Sequence, residues 1–327
     1  MAKYSELSGQ LVQYISSDPS NLEEGDVWYN STSNTLKARA QQSGSWASAD
    51  DINTARGFMG GASYAARNAA LGFGGDTGPA RVGNCEEYNG SSWSEESDLS
   101  TSRSASGSCG IQTSALGWCG YSGGGKTDVE SYNGSSWETD SSYTGSARYF
   151  SGGGTGASET AAFSFGAHND AEAFEWDGSS WSAQTDQPST RTYAGGFGTQ
   201  TSTMVTGGKN AITTSVSYNG SAWSSEPSLN TGRARFGGAG TSDAAGVIWG
   251  GSTDADSDVE IRNTEDWNGT AWSESALISV KRDNIANGFG TASAAMNAFG
   301  TIRLQPNPTG TEDYTGPGAA TVTVSTA

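Results

Sequence analysis

A tryptophan recurs along this chain at intervals of 42 to 49 residues, and this repeat limits the folds that the chain can adopt. In the last five copies, an aromatic residue, Asn-Gly or Asp-Gly and two small residues precede the tryptophan. Such a pair between aromatic strands is a strong hairpin signal and predicts a type I′ turn with two positive φ angles. The six copies are Trp46, Trp93, Trp137, Trp181, Trp223 and Trp272.

An arginine follows each tryptophan at an offset of 10 residues, or 11 in one copy. A glycine-rich stretch comes next, and then a short apolar strand that ends in glycine, as in residues 71–75 and 247–251. Each unit therefore reads as four short strands, and no window has helical periodicity. Four strands in roughly 40–50 residues are typical of a propeller blade. The arginines are Arg56, Arg103, Arg148, Arg191, Arg233 and Arg282.

The order of arginine, Gly-Gly, Glu-x-aromatic and tryptophan resembles the kelch repeat. Glu130, Glu265 and Glu312 carry the Glu-x-aromatic element, whereas Phe174 and Val216 stand at the glutamate position in two copies. The resemblance implies an all-β fold, a six-bladed kelch-like β-propeller with four-stranded blades. Each tryptophan is then expected to pack between blades, and its burial stabilises the fold by about 1.5–3 kcal/mol.

The repeated arginines allow two interpretations. A ring of functional cations is one of them. A structural role that ties the blades together is favoured, because the arginines recur in register with the packing residues.

The repeat covers about residues 46–316 and begins with a lone fourth strand at Trp46. It ends with the first three strands of a last blade, which the N-terminal strand is expected to complete, leaving no open sheet edge. Residues 321–324 are the alternative fourth strand, and the chain before about residue 50 is then a separate hairpin. The predicted domains are an N-terminal attachment segment with a β-hairpin at 1–45 and a six-bladed β-propeller at 46–327.

Two motif matches are set aside. Residues 120–127 fit the phosphate-loop pattern, but that motif needs a helix after the loop, and these residues run into a predicted strand. Asp254, Asp256 and Asp258 alternate as in a calcium loop, but Val259 stands where that loop needs glycine. A solvated acidic loop is favoured there over a weak divalent-cation site.

The chain has one histidine, His168, and three cysteines without metal-ligand spacing. Histidine-based acid–base or metal chemistry is therefore hard to assemble. Cys85, Cys109 and Cys119 are interpreted as small buried hydrophobic residues. No catalytic residue, metal or cofactor is predicted, and the chain is expected not to be an enzyme.

The formal net charge is −18, from 35 acidic and 17 basic residues. Such a charge repels phosphate backbones, so nucleic acid is not an expected partner. No stretch approaches the roughly 20 apolar residues that span a bilayer, so membrane insertion is not expected. The amino terminus has no apolar signal core, which argues against a cleaved signal peptide.

Residues 16–37 contain the run Gly-Asp-Val-Trp-Tyr-Asn, then a turn and a Leu-Lys strand. This segment is similar to one common in bacteriophage tail-fibre and virion proteins, and the Asn-Gly-Ser-Ser-Trp units are similar to those in virion proteins of marine phages. The resemblance implies a virion structural protein, namely a tail fibre, spike or capsid decoration, assembled in the host cytoplasm. The expected partners are other virion proteins at the N-terminal segment and host surface glycans at a propeller face, with homo-oligomer formation left open. A purely structural capsid or tail protein is the nearest alternative, followed by an intracellular kelch adaptor and a glycan-cleaving propeller enzyme.

Overall fold

The computed structural model describes residues 12–62, 64, 67–147, 154–167, 170–253, 259–283, 285, 289–302 and 307–324. Every regular element in these residues is a β-strand. They contain no helix that is long and apolar enough to cross a membrane. The chain divides into a larger unit, Ser45–Gly316, and a terminal unit formed by Met1–Gly44 with Pro317–Ala327.

The strands are numbered in chain order and form four-stranded sheets. The terminal sheet has the order β1 (Gln13–Ile15), β2 (Val27–Asn30), β3 (Thr35–Gln42), β28 (Gly318–Thr323). Sheets I and II consist of β5 (Gly60–Gly61), β6 (Ala70–Phe73), β7 (Cys85–Tyr88), β8 (Trp93–Glu96), and of β9 (Gly107–Ile111), β10 (Ser114–Trp118), β11 (Val129–Tyr132), β12 (Trp137–Thr139). Sheets III and IV consist of β13 (Gly154–Ser158), β14 (Ala161–Ala167), β15 (Asp170–Trp176), β16 (Trp181–Ala183), and of β17 (Gly195–Thr199), β18 (Ser202–Thr206), β19 (Ser215–Tyr218), β20 (Trp223–Glu226). Sheets V and VI consist of β21 (Gly237–Ser242), β22 (Ala245–Trp249), β23 (Thr264–Trp267), β24 (Trp272–Glu274), and of β25 (Phe289–Thr291), β26 (Ala294–Asn297), β27 (Thr311–Thr315), β4 (Ser45–Ala49).

Neighbouring strands in sheets I to VI run antiparallel, and each sheet repeats the same pairing of its third and fourth strands. An aromatic residue of the third strand lies opposite the repeated tryptophan. The pairs are Tyr88 with Trp93, Tyr132 with Trp137, Trp176 with Trp181, Tyr218 with Trp223, Trp267 with Trp272 and Tyr314 with Trp46. The all-β class and the four-stranded repeating unit predicted from the sequence are confirmed, and the architecture is propeller-like.

The number of sheets differs from the six blades of the prediction, because the described residues form seven four-stranded sheets. Six belong to the larger unit, and the seventh is the terminal sheet, which lacks the tryptophan repeat. Strand β4 pairs with β27 in sheet VI, whereas β28 pairs with β3 in the terminal sheet. The terminal sheet exceeds the hairpin expected for residues 1–45, since β1 and β28 flank the β2–β3 hairpin.

The buried hydrophobic residues of the larger unit fall into six clusters, and each cluster draws on two neighbouring sheets. Sheets II and III, for example, share Trp118 and Trp181. One cluster combines Trp93 of sheet I with Phe289 and Met296 of sheet VI. The core therefore consists of layers between sheets, which is how thin sheets with few large residues still bury their aromatic rings.

The turns before the tryptophans differ from the predicted type I′ geometry. In the sheet I turn only Gly90 has a positive φ, of 93°, and no asparagine of these turns does. Tyr88 and Trp93 are the last paired residues of the two strands, so residues 89–92 form a four-residue loop, within which the N–H of Asn89 donates to the carbonyl of Ser92 at 3.2 Å. Asn89 Oδ1 accepts the N–H groups of Ser91 and Ser92, both at 3.0 Å. The type I′ prediction is wrong because the Asn side chain stabilises this longer loop.

In the terminal sheet, β1 runs parallel to β2, and the β2–β3 and β3–β28 pairs are antiparallel. A parallel pair needs a crossover connection, which residues 16–26 provide. Trp28 of β2 is buried, and its indole N–H donates to Asp18 of that crossover at 3.0 Å.

Candidate functional site

Each repeated tryptophan contacts an aromatic ring of the neighbouring sheet. Five of these contacts join consecutive sheets, and the sixth joins sheet I to sheet VI. Such ring pairs add about 0.5–1.5 kcal/mol beyond burial. The centroid distances are 4.6 Å for Trp137–Phe73, 5.2 Å for Trp93–Phe299, 5.2 Å for Trp181–Trp118, 5.3 Å for Trp46–Trp249, 5.9 Å for Trp223–Phe163 and 6.2 Å for Trp272–Phe197.

The repeated arginines lie in the segments that connect one sheet to the next, and we call these segments the crossovers between sheets. Arg233 shows what the arginines contact. Its backbone carbonyl accepts the N–H of Gly208 in sheet IV at 2.8 Å. Its buried guanidinium donates to the carbonyl of Asn263 in sheet V at 2.6 Å. The carbonyls of Arg56, Arg103 and Arg282 accept a glycine N–H in the same way. These arginines therefore connect two sheets, and Arg148 lies outside the described residues.

A buried glutamate completes this arrangement in sheets I, II and V. Arg233 Nη2 donates to Glu265 Oε1 at 2.6 Å, and Glu265 also accepts the N–H groups of Asn230 and Thr231 at 2.8 and 3.1 Å. Arg103 pairs in the same way with Glu130. The Arg56–Glu86 pair is also fully buried, and the sequence pattern missed Glu86 although it precedes Tyr88 in the Glu-x-Tyr spacing.

Sheet IV has no such glutamate. Arg191 donates to the carbonyl of Gly207 at 2.8 Å and to the carbonyl and hydroxyl of Thr214, both at 2.9 Å. No carboxylate pairs with it among the described residues, and burial lowers the pKa of its guanidinium. Val216 occupies the glutamate position, and Pro188, which has no N–H, stands where sheet V has the donor Asn230.

Two residues after the arginine, four crossovers adopt a left-handed conformation at a residue that is not glycine. The φ angles are 54° at Phe58, 55° at Ala105, 59° at Tyr193 and 59° at Arg235, and we call these four residues the crossover ring. Such a conformation costs about 1–3 kcal/mol and is found mostly where function requires it. Glycine would remove the strain, and this chain has 47 glycines, yet all four positions carry side chains.

The four residues of the crossover ring are joined in two pairs. The N–H of Ala105 donates to the carbonyl of Phe58 at 2.7 Å, and the N–H of Arg235 donates to that of Tyr193 at 3.0 Å. The Arg235 guanidinium lies 4.3 Å from the centre of the Tyr193 ring and 3.5 Å from Asp283. The side chains of all four residues of the crossover ring are partly exposed. The result is a set of aromatic and cationic groups on a rigid backbone.

The loops between second and third strands lie beside the crossover ring. Backbone bridges pair Gly57 with Asp76 and Ser104 with Tyr121, one in sheet I and one in sheet II. In an antiparallel sheet, these loops lie at the opposite end from the Asn-Gly turns. Arg81 lies 4.4 Å from the centre of the Tyr121 ring, so a second aromatic–cation pair lies at this end.

Residues 120–127, which match the phosphate-loop pattern, form one of these loops. The N–H of Lys126 donates to the carbonyl of Gly120 at 2.9 Å, and the chain continues into β11. No helix follows to direct N–H groups at a phosphate, so the match has no structural basis for nucleotide binding.

The other chemical candidates from the sequence are the histidine, the three alternating aspartates and the cysteines. His168, Asp254, Asp256 and Asp258 lie outside the described residues. The described part of the chain holds no group of three or more metal-ligating side chains. Cys85 and Cys109 are buried, and burial raises the pKa of both thiols far above its usual range, so neither is a nucleophile.

Fold and repeat together define the class as an all-β, propeller-like protein with an aromatic and cationic ring among its crossovers. No protein-family model and no curated protein matches the chain. The argument about function therefore depends on the chain's own geometry.

Proposed function

We propose that sheets I to VI form a closed six-bladed β-propeller of kelch type, and that the chain is a structural protein of a bacteriophage virion. In this proposal it is a tail fibre, spike or capsid decoration whose crossover ring and adjacent loops bind a glycan of the host surface. The N-terminal segment attaches it to other virion proteins.

The cyclic order of contacts supports the closed ring. Consecutive sheets share a buried cluster, and sheet VI shares one with sheet I. The N–H of Gly300 in sheet VI donates to the carbonyl of Arg56 at 3.2 Å, which repeats the link between the other sheets. Strand β4 completes sheet VI, so one sheet holds both ends of the repeat, as in closed propellers.

The crossover ring is the observation that carries the binding proposal. Sugar rings present C–H groups to aromatic faces and hydroxyl groups to charged side chains, and the crossover ring offers the partly exposed Phe58 and, beside Arg235, the partly exposed Tyr193. Strain held by packed crossovers keeps these groups in place before a ligand arrives, which lowers the entropy lost on binding.

The similarity of residues 16–37 to segments of phage tail-fibre proteins supports the virion assignment. A face for host contact suits such a protein, because adsorption requires a rigid binding surface. The crossovers provide that rigidity through the buried arginines.

Retention on immobilised host polysaccharide tests the binding surface. We expect Tyr193→Ala and Phe58→Ala each to weaken retention of the intact chain about tenfold, as loss of roughly 1.4 kcal/mol requires. Ser135→Ala in the exposed sheet II turn, at the opposite end of the sheets, is the matched control and is expected to bind normally. Equal binding by all three variants would remove the crossover ring from the proposal, and steady release of reducing sugar would favour an enzyme.

Immunogold electron microscopy of intact particles tests the virion assignment separately. Label on the tail supports a host-binding fibre or spike, and label over the head supports a decoration protein. Labelled particles without polysaccharide retention favour the purely structural alternative. Absence of label from every particle, with the protein confined to the infected cell, refutes the virion assignment.

A further inference from the structure

We infer that the terminal unit contains a second carbohydrate site, a cleft between β1 and the crossover 16–26 that binds a neutral saccharide. We call it the terminal cleft, and it is independent of the crossover ring. The inference comes from a preformed cavity, free amide groups and an exposed aromatic platform in the same small unit.

The terminal cleft consists of two neighbouring cavities that share Gln13 and Pro19. The inner cavity, of about 280 Å³, is lined also by Asn21, Asp26 and Trp28. The outer one, of about 500 Å³, extends along β1 past Tyr14. Ligand pockets usually hold about 300–1,000 Å³, so the inner cavity suits one sugar ring and the outer cavity a second.

Trp28, which lines the inner cavity, is hydrogen-bonded to the crossover 16–26. Asp18 accepts the indole N–H of Trp28 at 3.0 Å and the amide of Asn30 at 2.7 Å, and it pairs with Lys37 at 2.7 Å. The hydrogen bonds from Lys37, Asn30 and Trp28 lower the pKa of Asp18 to about 2, so its carboxylate is ionised and accepts all three at neutral pH. The cavity is therefore formed before a ligand binds.

The polar groups of the wall suit sugar hydroxyls. The side-chain amides of Gln13 and Asn21 are exposed and make no hydrogen bond to any other described residue. Asp26 Oδ2 accepts the N–H of Glu23 at 2.8 Å, and its other oxygen has acceptor capacity left. Amides supply both donors and acceptors, and a carboxylate accepts from hydroxyl groups, so together they match a polyhydroxylated ligand.

Tyr14 provides the aromatic platform. Its side chain is 74% exposed, which is unusual for a large aromatic residue without a partner surface. The Tyr29 ring stacks behind it, with centroids 5.1 Å apart and planes 16° from parallel, so one face of Tyr14 is supported. The negative face of an aromatic ring attracts the C–H groups of a sugar, and a supported ring loses little freedom on binding.

The charges of this region select a neutral ligand. Glu23, Glu24 and Asp26 lie on the crossover next to the cavity, and Lys37 is already paired with Asp18. Arg39 of β3, whose N–H donates to the carbonyl of Asp26, is the other described cation here, so the three carboxylates outnumber the cations and disfavour a carboxylate or phosphate ligand. We therefore expect the cleft to take neutral hexosides and to reject their uronate counterparts.

The test is an NMR titration of the full chain with ¹⁵N-labelled indole groups. The Trp28 signal, assigned with Trp28→Phe, is followed while methyl glucoside, methyl galactoside, methyl mannoside, N-acetylglucosamine and methyl glucuronide are added. At least one neutral sugar is expected to shift it with a Kd of roughly 1 mM, a value typical of shallow single-sugar sites that corresponds to about 4.1 kcal/mol. Tyr14→Ala and Asn21→Ala are expected to weaken that binding at least tenfold, and the exposed β3 variant Gln41→Ala is the matched control.

Retention of the Trp28 indole signal in each variant shows that the terminal unit is intact, and Tyr14→Leu replaces Tyr14→Ala if it is not. The inference is overturned if no neutral sugar shifts the signal, if both variants bind like the control, or if the glucuronide binds as tightly as the glucoside. Tyr193→Ala is expected to leave the titration unchanged, so failure of the crossover-ring proposal and failure of this one are separable.

Discussion

Sheets V and IV have the same four-stranded arrangement, and each is preceded by a buried repeated arginine. The groups that accept hydrogen bonds from that arginine differ between the two sheets. In sheet V, Arg233 pairs with Glu265 at 2.6 Å. In sheet IV, Arg191 has only carbonyl groups and the Thr214 hydroxyl as partners among the described residues. The pKa of each guanidinium is lowered by burial, and only for Arg233 does a glutamate oppose that effect.

In sheet IV, the carboxylate acceptor and one backbone donor of the sheet V arrangement are both absent. Sheet IV lacks the glutamate, at Val216, and it also lacks one of the two crossover N–H groups that the glutamate would accept, at Pro188. A buried donor without an acceptor costs about 1–3 kcal/mol, whereas removal of both partners is nearly neutral. The glutamate is therefore one of two workable solutions, and the link through the arginine backbone is the common element.

The largest effect is expected for Glu265→Gln. It leaves Arg233 as a buried unpaired cation, which destabilises a protein by about 3–5 kcal/mol. Urea denaturation measures the loss, with Glu138→Gln on exposed β12 as a control expected to stay within about 0.5 kcal/mol. Equal midpoints for the two variants would mean that the carboxylate is as dispensable in sheet V as in sheet IV.

Replacing the two arginines sharpens the contrast. Arg233→Met leaves Glu265 as a buried carboxylate without its cation and is expected to destabilise the fold by about 3–5 kcal/mol. Arg191→Met removes hydrogen bonds to uncharged acceptors and leaves no buried carboxylate unpaired, so a loss of about 1–3 kcal/mol is expected. The same urea assay compares them, and a larger loss for Arg191→Met would contradict the two solutions described here.

Val216→Glu restores the carboxylate to sheet IV. Because Arg191 bonds to Thr214 beside the third strand and pairs with no carboxylate among the described residues, we expect this variant to change stability by less than about 1 kcal/mol. In the Arg191→Met background the same carboxylate has no cation, and a coupling of about 1–3 kcal/mol is expected from the double-mutant cycle. Additive effects would place the new carboxylate out of reach of Arg191.

The smallest effect concerns pH. Burial raises the pKa of Asp266 in sheet V, where it accepts the Tyr314 hydroxyl at 2.8 Å, and sheet IV has Ser217 at that place. The folded state then binds the proton more tightly than the unfolded state, whose Asp pKa is about 3.9, so stability falls as pH rises from there through the folded pKa. Asp266→Asn is expected to flatten stability above about pH 4 in thermal melts, and Ser217→Ala is expected to leave the slope unchanged.

The repeat and its packing residues could be predicted from the sequence because both are periodic. The tryptophans and arginines recur at nearly constant spacing, so Trp272 and Arg233 were identifiable without coordinates. The crossover ring has constant position but variable chemistry, from Ala105 to Arg235, so no residue type marks it. The terminal cleft was equally hidden, because Asn21 and Tyr14 become neighbours of one cavity system only when β1 pairs with β2.

The all-β class, the four-stranded unit and the place of each tryptophan could be read from the sequence alone, since strand alternation and turn residues are local properties. Tertiary structure decided which strands pair across the length of the chain. Trp46 lies opposite Tyr314, while Thr321 lies opposite Arg39, and local propensity favours neither choice. It also decided that the Asn89 loop is longer than a type I′ turn. The physical reason is that register and charge pairing depend on groups far apart in sequence, whose energies appear only when the sheets are packed.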